Sequence, residues 1–416
     1  MKILHVIDGA ETGSVDGALY DDVDPVTRAP YAAVARGAAL DAELAVAAAR
    51  RAFDGGPWAR TGLPERRRLL YRLAGLVEES AGEFARADGR DVGRARAGCD
   101  VPRAAECVRF AVDCVEDDAR TPAGVVAGIV SWHTPLLNAV RIVAPALARG
   151  NTVVLKPSGD SPASAALLGR LALRAGIPDG VLNVVLGFGD VGAALTRNPA
   201  VDRIAFTGSR VTGRVVAMGA AVNLTPVALD LVERPSVIVC DDADLDAAVT
   251  GAAFDGSRFL VQERVYCAFL DRLAETARTL QVGDPADPLT VVGPLAGPAQ
   301  YHKVAGLLMG GGRIVTGGLT GDDWFVRPTV LTELPADIDE LPGPVVTVAP
   351  FAHEDEAVHA GTARTTTLFT RDPERALRVT GRLRSRDISV NRYAERTDTE
   401  FDKEFLTLRK TVRMAF

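Results

Sequence analysis

Apolar and polar positions alternate in blocks between Pro122 and Asp230, where short apolar runs are separated by longer segments that carry helix signals. The apolar runs are rich in β-branched residues and predict buried strands at residues 124–131, 152–155, 182–186 and 203–206. The segments between them predict helices at residues 135–147, 161–175 and 191–197 and from residue 209 onward. Strands that alternate with helices imply right-handed crossovers and a parallel sheet, with ligands expected beyond the carboxyl ends of its strands.

Two glycine patterns in this block compete for the role of a phosphate-binding turn. Residues 187–192 match the generic dinucleotide fingerprint, but Asp202 follows too early for a ribose contact, which is expected about 20 residues on. A plain turn is the alternative for this pattern. Residues 206–213 are the stronger candidate, because Gly208 would let the backbone approach a phosphate at the start of the next helix.

The rest of the chain also mixes helices and strands. Upstream, the patterns predict a strand at residues 1–7, an edge hairpin at 23–34, and helices at 41–53, 64–87 and 102–115, the first capped by Asp41. Downstream, they predict strands at 236–239, 259–261, 313–315, 345–351 and 388–390, and helices at 245–254, 265–280, 298–308, 354–360 and 373–383. Residues 310–312 are interpreted as a hairpin-like connection. A second α/β domain is therefore expected after the first.

Composition narrows the class of protein. The 416 residues are 47% hydrophobic and 24% charged, which is enough material for two packed domains. The net charge of −7, with basic residues dispersed among acids, argues against nucleic acid as a partner. The five cysteines lack CxxC spacing, so neither a disulfide framework nor a zinc site is indicated. The N-terminus is not a secretory signal and no apolar run could span a bilayer, so we expect a soluble cytoplasmic protein without a membrane partner.

Several motifs together carry a family resemblance. Trp132, the run that begins at Pro135, and residues 144–158, 176–185 and 204–209 closely resemble the aldehyde dehydrogenase superfamily. The similarity continues at residues 241–248, 282–285, 343–345 and 369–372, so it covers nearly the whole chain. It implies an aldehyde-dehydrogenase-like α/β fold, with a parallel Rossmann-type sheet domain at 1–230, a second α/β domain at 231–391 that is catalytic in the family, and a tail at 392–416.

The segment that makes subunit contacts in the family is altered in this sequence. An excursion of about 25 residues, which builds a hairpin in the family, is missing between residue 116 and the first core strand. Residues 406–416 still resemble the family's other intersubunit strand. We therefore expect a reduced oligomerisation hairpin and a homodimer of altered form.

By resemblance, the family's reaction needs a cysteine thiolate, an oxyanion-stabilising asparagine and a general-base glutamate. The cysteine should lie between residues 251–254 and 257–261, but only Asp255 and Gly256 join these landmarks, so about eleven residues are absent. Cys240 and Cys267 are interpreted as structural residues, because buried structural cysteines outnumber reactive ones. No thiolate nucleophile is expected.

The other catalytic positions hold different residues. His133 stands where the asparagine is expected, either as a hydrogen-bond donor and proton carrier or as a loop histidine that fills a vacated pocket. Asp230 stands at the glutamate position, and Glu233 follows where the family has a glycine. One interpretation is that these two carboxylates form an acid–base pair. The alternative is that Asp230 is a loop carboxylate that pairs with Arg234.

The cofactor positions are better kept. The resemblance assigns Lys156 to the adenosine ribose, Gly208, Ser209 and Gly213 to the pyrophosphate turn, and Glu340 to the nicotinamide ribose, with Trp132 in the motif beside them. The acid expected after Ser158 is replaced by Gly159, with Asp160 behind it, so the choice between NAD and NADP stays open.

Two hypotheses follow. The first is a repurposed enzyme that uses the NAD(P)-type cleft for non-covalent hydride transfer or acid–base chemistry on a small molecule of unknown identity. The second is a catalytically inactive pseudoenzyme that acts as a binding or scaffold partner. The missing cysteine segment argues against ordinary aldehyde oxidation in both.

Overall fold

The protein forms two compact units in a computed structural model, Met1–Val232 together with the C-terminal segment, and Glu233–Thr397. The sequence-based boundaries were at residues 230 and 391. The structure describes residues 1–95, 97–115, 120–232, 234–250, 252, 254, 256–321, 323–334, 341–361, 363–393 and 403–409.

The described helices alternate with strands through most of the chain. They are α1 (Ala39–Asp54), α2 (Leu63–Glu79), α3 (Ala81–Val92), α4 (Asp100–Asp113), α5 (Pro135–Ala148), α6 (Ala163–Ala175), α7 (Gly189–Arg197), α8 (Arg210–Ala221), α9 (Leu245–Thr250), α10 (Glu263–Thr279), α11 (Pro298–Met309), α12 (Glu354–Ala360), α13 (Pro373–Thr380) and α14 (Lys403–Leu406). In the described part of the chain, no helix is long and apolar enough to cross a membrane.

The strands of the first unit are β1 (Lys2–Ile3), β2 (His5–Ile7), β3 (Ala10–Thr12), β4 (Leu19–Val23), β5 (Pro30–Ala35), β6 (Arg120–Pro122), β7 (Val125–Ile129), β8 (Thr152–Lys156), β9 (Leu182–Val184), β10 (Arg203–Gly208), β11 (Val227–Leu231) and β19 (Thr407–Arg409). Those of the second unit are β12 (Ser236–Val239), β13 (Arg258–Gln262), β14 (Arg313–Leu319), β15 (Val326–Thr332), β16 (Val345–Phe351), β17 (Thr365–Phe369) and β18 (Asp387–Val390).

The main sheet of the first unit has the strand order β11-β10-β7-β8-β9-β2-β3. Its first five strands are parallel, and β2 and β3 add an antiparallel edge. The chain runs from β7 outward through β8 and β9, and then returns to the other side of β7 as β10. The order of strands therefore reverses between β7 and β10, which is where a doubly wound sheet opens a crevice for ligands.

Both faces of this sheet are buried because successive side chains of a strand point to opposite faces. Val126 and Val153 pack into one cluster with α5 and α6, whereas Val125 and Val154 pack into another with α1, α7 and α8. Every residue of α5 is buried, as expected for a helix that is apolar all round. The core of the unit thus lies on both sides of the strands whose carboxyl ends carry the candidate site.

The second unit is built on a seven-stranded sheet of order β14-β15-β16-β13-β12-β17-β18. All neighbours are parallel except β14 and β15, which form an antiparallel hairpin at one edge. The predicted fold class, an aldehyde-dehydrogenase-like α/β fold with a parallel Rossmann-type sheet and a second sheet domain, is confirmed.

Some local predictions were wrong. The helix predicted at 64–87 is two helices that meet at Ser80, whose backbone carbonyl accepts from Glu83 N at 2.9 Å. Asp41 lies in the first turn of α1 and accepts from the N-cap Ala38 at 2.9 Å rather than occupying the cap itself. Residues 310–312 connect α11 to β14 instead of closing a hairpin. The strand predicted at 1–7 is two strands, β1 and β2, in different sheets.

Five strands were not predicted, namely β3, β6, β11, β15 and β17, and β4 lies almost entirely before the hairpin predicted at 23–34. β15 contains Pro328, which argues against a strand because proline has no N–H to donate. In β11 the buried Asp230 interrupts the apolar pattern. Only pairing with neighbouring strands makes these segments extended.

The C-terminal strand pairs within its own chain. β19 runs antiparallel to β6, and Leu408 lies opposite Thr121. The remainder of the strand predicted at 406–416 falls outside the described residues.

Buried carboxylates of α3 hold the starts of two core helices. Asp91 accepts from the backbone N–H of Ala163 at 2.9 Å, and Asp88 accepts from the Ser164 hydroxyl and from the backbone N–H of Leu136. Burial raises the pKa of Asp88 to about 7, and repulsion by Asp100 adds to the effect while Arg94 opposes it. Carboxylates at helix N-termini are favourable, but their desolvation makes the ionised form costly.

This arrangement predicts a pH-dependent stability. A carboxyl whose folded-state pKa lies above its unfolded value stabilises the fold below the unfolded pKa, and this contribution is lost as pH rises through the folded pKa. Asp88→Asn keeps an acceptor without the charge. We expect the wild type to lose on the order of 2 kcal/mol more than the variant between pH 5.5 and pH 7.5 in urea unfolding. The exposed change Glu43→Gln on α1 is the control, and equal losses in wild type and Asp88→Asn would contradict the assignment.

Candidate active site

The candidate residues of the first unit gather at the carboxyl ends of three adjacent strands. Ile129 of β7 lies opposite Phe206 of β10, and Gly208 at the end of β10 lies opposite Leu231 of β11. His133 follows β7, and Asp230 precedes Leu231 on β11. The fold therefore brings residues that are about 100 positions apart in the sequence to the edge where the strand order reverses.

Side chains of the protein itself pack against the glycines of the turn after β10. Ser209 caps α8 and its hydroxyl oxygen accepts from Thr212 N at 3.2 Å. A Cβ on Gly208 would lie 2.7 Å from the ring of Phe206, and one on Gly213 would lie 2.6 Å from Leu231. A Cβ at either glycine would therefore press on the protein's own side chains, and the pyrophosphate role of this turn stays a prediction. The N-terminus of α8 remains as the feature suited to an anion.

Lys156 ends β8 and is only 6% exposed. In the described part of the chain, its Nζ donates one hydrogen bond, to the carbonyl of Pro157 at 2.6 Å, so two of its N–H groups remain for ligand oxygens. Burial lowers the pKa of Lys156 to about 8, partly offset by Asp160 and Asp190. A desolvated ammonium with spare donors fits the hydroxyl or phosphate oxygens of a nucleotide.

The first glycine pattern lies beside this lysine. A Cβ on Gly192 of α7 would lie 3.7 Å from Lys156 Cδ. The two glycine patterns, treated as competitors in the sequence, therefore lie at the same carboxyl edge of the sheet, one after β9 and the other after β10.

An aromatic cluster that the sequence did not reveal covers Gly159. A Cβ there would lie 2.5 Å from Phe188, and the hydroxyl of Tyr20 donates to the Gly159 carbonyl at 3.0 Å. The rings of Tyr20 and Phe188 are 4.7 Å apart, and the guanidinium of Arg36 lies 5.9 Å from the Phe188 ring. Glycine instead of an acid at position 159 thus has a packing reason. No local signal marks Tyr20 or Arg36, because they reach this place from more than a hundred residues away.

The loop after β7 is tightly held. Asn138 donates to the backbone carbonyl of His133, and Thr134 adopts the left-handed region at φ 51°, which is costly for a β-branched residue. The rings of Trp132 and His133 meet edge to face at 5.8 Å. The pKa of His133 is lowered to about 4, mainly because surrounding protein groups displace water from the imidazole and also because Arg94 repels its charged form. The residue as a whole is nevertheless exposed. At pH 7 the imidazole is neutral.

Of the three acidic candidates, Asp230 lies among the described residues. Asp230 is buried at 3% exposure, next to the end of β10. Glu233 and Glu340 lie outside the described residues. Arg234, the suggested partner of Asp230, donates to the Thr347 hydroxyl at 2.6 Å within the second unit.

All five cysteines lie among the described residues. Cys240 is buried at the end of β12, as predicted, and burial raises its pKa to about 12. Burial also raises the pKa of Cys107 to about 11. The other three, Cys99, Cys114 and Cys267, are exposed on or beside helices.

The sequence profile of the aldehyde dehydrogenase family matches residues 13–402 of this chain. The chain belongs to the aldehyde dehydrogenase family. It is 35% identical to the NADP/NAD-dependent aldehyde dehydrogenase PuuC of Escherichia coli (strain K12), over 93% of this chain and 87% of that protein. It is also 35% identical to aldehyde dehydrogenase 1 of Tanacetum cinerariifolium, over 95% of this chain and 88% of that protein.

Solved structures of aldehyde dehydrogenases superpose well on this chain. The gamma-glutamyl-gamma-aminobutyraldehyde dehydrogenase of Burkholderia cenocepacia J2315 is 36% identical, with a TM-score of 0.90 over 95% of this chain and 89% of that one. The NAD+ complex of aldehyde dehydrogenase from Bacillus cereus is 29% identical, with a TM-score of 0.89 over the same shares.

The environment of Lys156 yields a direct prediction. With 13Cε-labelled lysine, one resonance should titrate near pH 8, because burial disfavours the charged amine, and it should vanish in Lys156→Arg. Nuclear magnetic resonance over pH 6–11 makes the measurement, and the exposed Lys303 serves as an internal reference. Titration of the Lys156 resonance near the ordinary lysine value would show that its ammonium is solvated.

Proposed function

We propose that this member of the aldehyde dehydrogenase family binds NAD or NADP in its first unit and acts on a small molecule without forming a cysteine thioester. The chemistry is hydride transfer or acid–base catalysis. The observation that carries the proposal is the connection between α9 and β13, which has seven residues, 251–257, and no cysteine.

The short connection is compatible with an ordered sheet. Gly256 adopts φ +93° and donates to the carbonyl of Val345 at 3.1 Å, directly before β13 pairs with β12 and β16. A Cβ at this glycine would lie 3.0 Å from the Leu341 carbonyl. These contacts at Gly256 support a connection of this length before β13.

Three of the five thiols, those of Cys240, Cys107 and Cys267, are poor substitutes for the missing nucleophile. Covalent aldehyde oxidation needs a thiolate, and thiolates are favoured by nearby positive groups and partial exposure. Cys240 and Cys107 have pKa values raised by burial to about 12 and about 11, so both are protonated at neutral pH. Cys267 lies on α10, beyond β13, outside the segment where the nucleophile belongs.

The cofactor proposal rests on the fit of Lys156 and of the N-terminus of α8 to an anionic dinucleotide. Lys156 would hold ribose or phosphate oxygens with its two remaining donors, and the start of α8 at Ser209 would face the pyrophosphate. Several relatives are described as NAD- or NADP-dependent, which agrees with this fit. When bound, the nicotinamide supplies a hydride acceptor or donor. Trp132, Gly208 and Gly213 complete the proposed set in the first unit.

His133 is the proposed proton carrier. Because its pKa is lowered, the imidazole is neutral at pH 7 and can donate a hydrogen bond to a developing negative charge, while the same low pKa makes it a weaker base toward a substrate proton. Asn138 holds the His133 carbonyl and so orients the loop. Asp230 and Glu233 are the further acid–base candidates.

The cofactor proposal is tested by calorimetric titration of the whole protein with NAD+ and NADP+. Lys156→Met should weaken binding of at least one of them about ten-fold or more, since hydrogen bonds from a charged donor are lost. Lys303→Met, an exposed lysine on α11, should bind like the wild type. Absence of saturable binding at millimolar cofactor would refute the cofactor site.

The same preparation tests the chemistry. Any reduction of NAD(P)+ should persist after alkylation with iodoacetamide, and aldehydes should not be converted to acids at ordinary turnover. Acid formation that iodoacetamide abolishes would overturn the proposal.

The second candidate function is that of a catalytically inactive binding partner, and an exposed apolar stripe favours association. The stripe, on α8, consists of Val211, Val215, Met218 and Val222, which are 55–69% exposed and spaced four, three and four residues apart. We propose that it pairs with the same helix of a second copy to form a homodimer. In an antiparallel pair, Arg214 of each copy would approach the negative C-terminal half of the partner helix.

The dimer proposal predicts that Met218→Asp yields a monomer, because a carboxylate would be buried in an apolar contact. Multi-angle light scattering measures the mass. Leu377→Asp, on α13 and 76% exposed, is the matched control and should remain dimeric. A monomeric wild type, or a dimeric Met218→Asp, would rule out this interface.

A further inference from the structure

The second unit contains a cavity that is separate from every residue discussed as a catalytic or cofactor candidate. It has a volume of about 750 Å³ and lies between the C-terminal end of α10 with the following segment and the β14–β15 hairpin. Small-molecule sites in proteins fall in the range of about 300–1,000 Å³. The size is thus suitable for a small organic ligand.

One wall of the cavity is shaped by irregular pairing in the hairpin. The register between β14 and β15 shifts on either side of Thr316. Gly317 adopts φ +93°, and a Cβ there would lie 2.3 Å from the Pro328 carbonyl. The next N–H, of Gly318, donates to the Thr329 hydroxyl at 2.8 Å. Bulges of this kind redirect side chains beside functional sites, and here the glycine makes the close approach of the two strands possible.

The lining combines an apolar surface with two cations. Leu280 and Phe325 supply apolar surface, and Arg278 and Arg327 are exposed at the cavity. Neither guanidinium makes a hydrogen bond or ion pair with another residue that the structure describes. The acid of the lining, Asp323, accepts from the Thr320 hydroxyl at 2.6 Å.

We propose that this cavity binds a small organic anion, whose carboxylate or phosphate group pairs with Arg278 and Arg327 and whose apolar body packs on Leu280 and Phe325. Guanidinium groups recognise carboxylate and phosphate through paired hydrogen bonds, and a site that combines them with apolar walls selects an amphipathic anion. The inference concerns the second unit and does not depend on the proposed cofactor site.

Calorimetry without NAD(P) tests the site, with benzoate and phenyl phosphate as the probes for the two anion chemistries. We expect saturable binding of at least one probe, and a loss of about ten-fold or more in affinity in Arg278→Gln and in Arg327→Gln. Arg384→Gln is the matched control, because Arg384 is an exposed arginine of the same unit outside the cavity. Benzylamine, which has the ring but the opposite charge, should bind more weakly than either anion.

Four results would overturn the proposal: no saturable binding of either anion, equal affinity for benzylamine, unchanged affinity in both cavity variants, or loss of binding in Lys156→Met. The last result would assign the anions to the first unit. Because Lys156→Met affects only the proposed cofactor site, this variant also separates failure of the anion site from failure of cofactor binding.

Discussion

The burial of β7 on both faces is the constraint on which the first unit depends. All five residues of β7 are buried, and different helices cover its two faces. α5 and α6 cover one face during the outward run to β9, whereas α7, which connects β9 to β10, and α8, which follows β10, cover the other. No crossover spans the carboxyl ends of both β7 and β10, so the loops after them border an open crevice.

Placing polar groups beside such a core changes their ionisation. Burial raises the pKa of Asp88 and lowers that of Lys156, so that a carboxyl and an amine, which ordinarily titrate far apart, both change charge close to neutral pH. The cause is the same in both, since removing water disfavours the charged form whichever sign it carries. Asp88 holds the start of α5, and Lys156 ends β8, so the two groups belong to the framework of the crevice.

The second unit shows how a member of this family closes its sheet with a short connection. β12 and β13 pair in full parallel register, with Ser236 opposite Arg258, although only seven residues separate α9 from β13. Gly256, held to Val345, makes the turn possible. The parallel pairing of β12 with β13 is thus compatible with a connection of this length.

Alternating apolar runs were enough to predict most helices and strands and the parallel sheets, because a doubly buried strand leaves a strong local pattern, whereas the family was recognised from the resemblance of its motifs. The sequence also shows that residues 251–257, between α9 and β13, contain no cysteine, which can be seen without the structure. It did not predict β15 or β17, the break at Ser80, or the aromatic cluster over Gly159. Those features depend on neighbours distant in the chain: Pro328 becomes part of a strand only beside β14 and β16, and Tyr20 of β4 donates to the Gly159 carbonyl only in the folded unit. Local patterns determined which segments are regular, whereas tertiary packing decided what surrounds each candidate side chain, because burial and hydrogen bonding are properties of the assembled core.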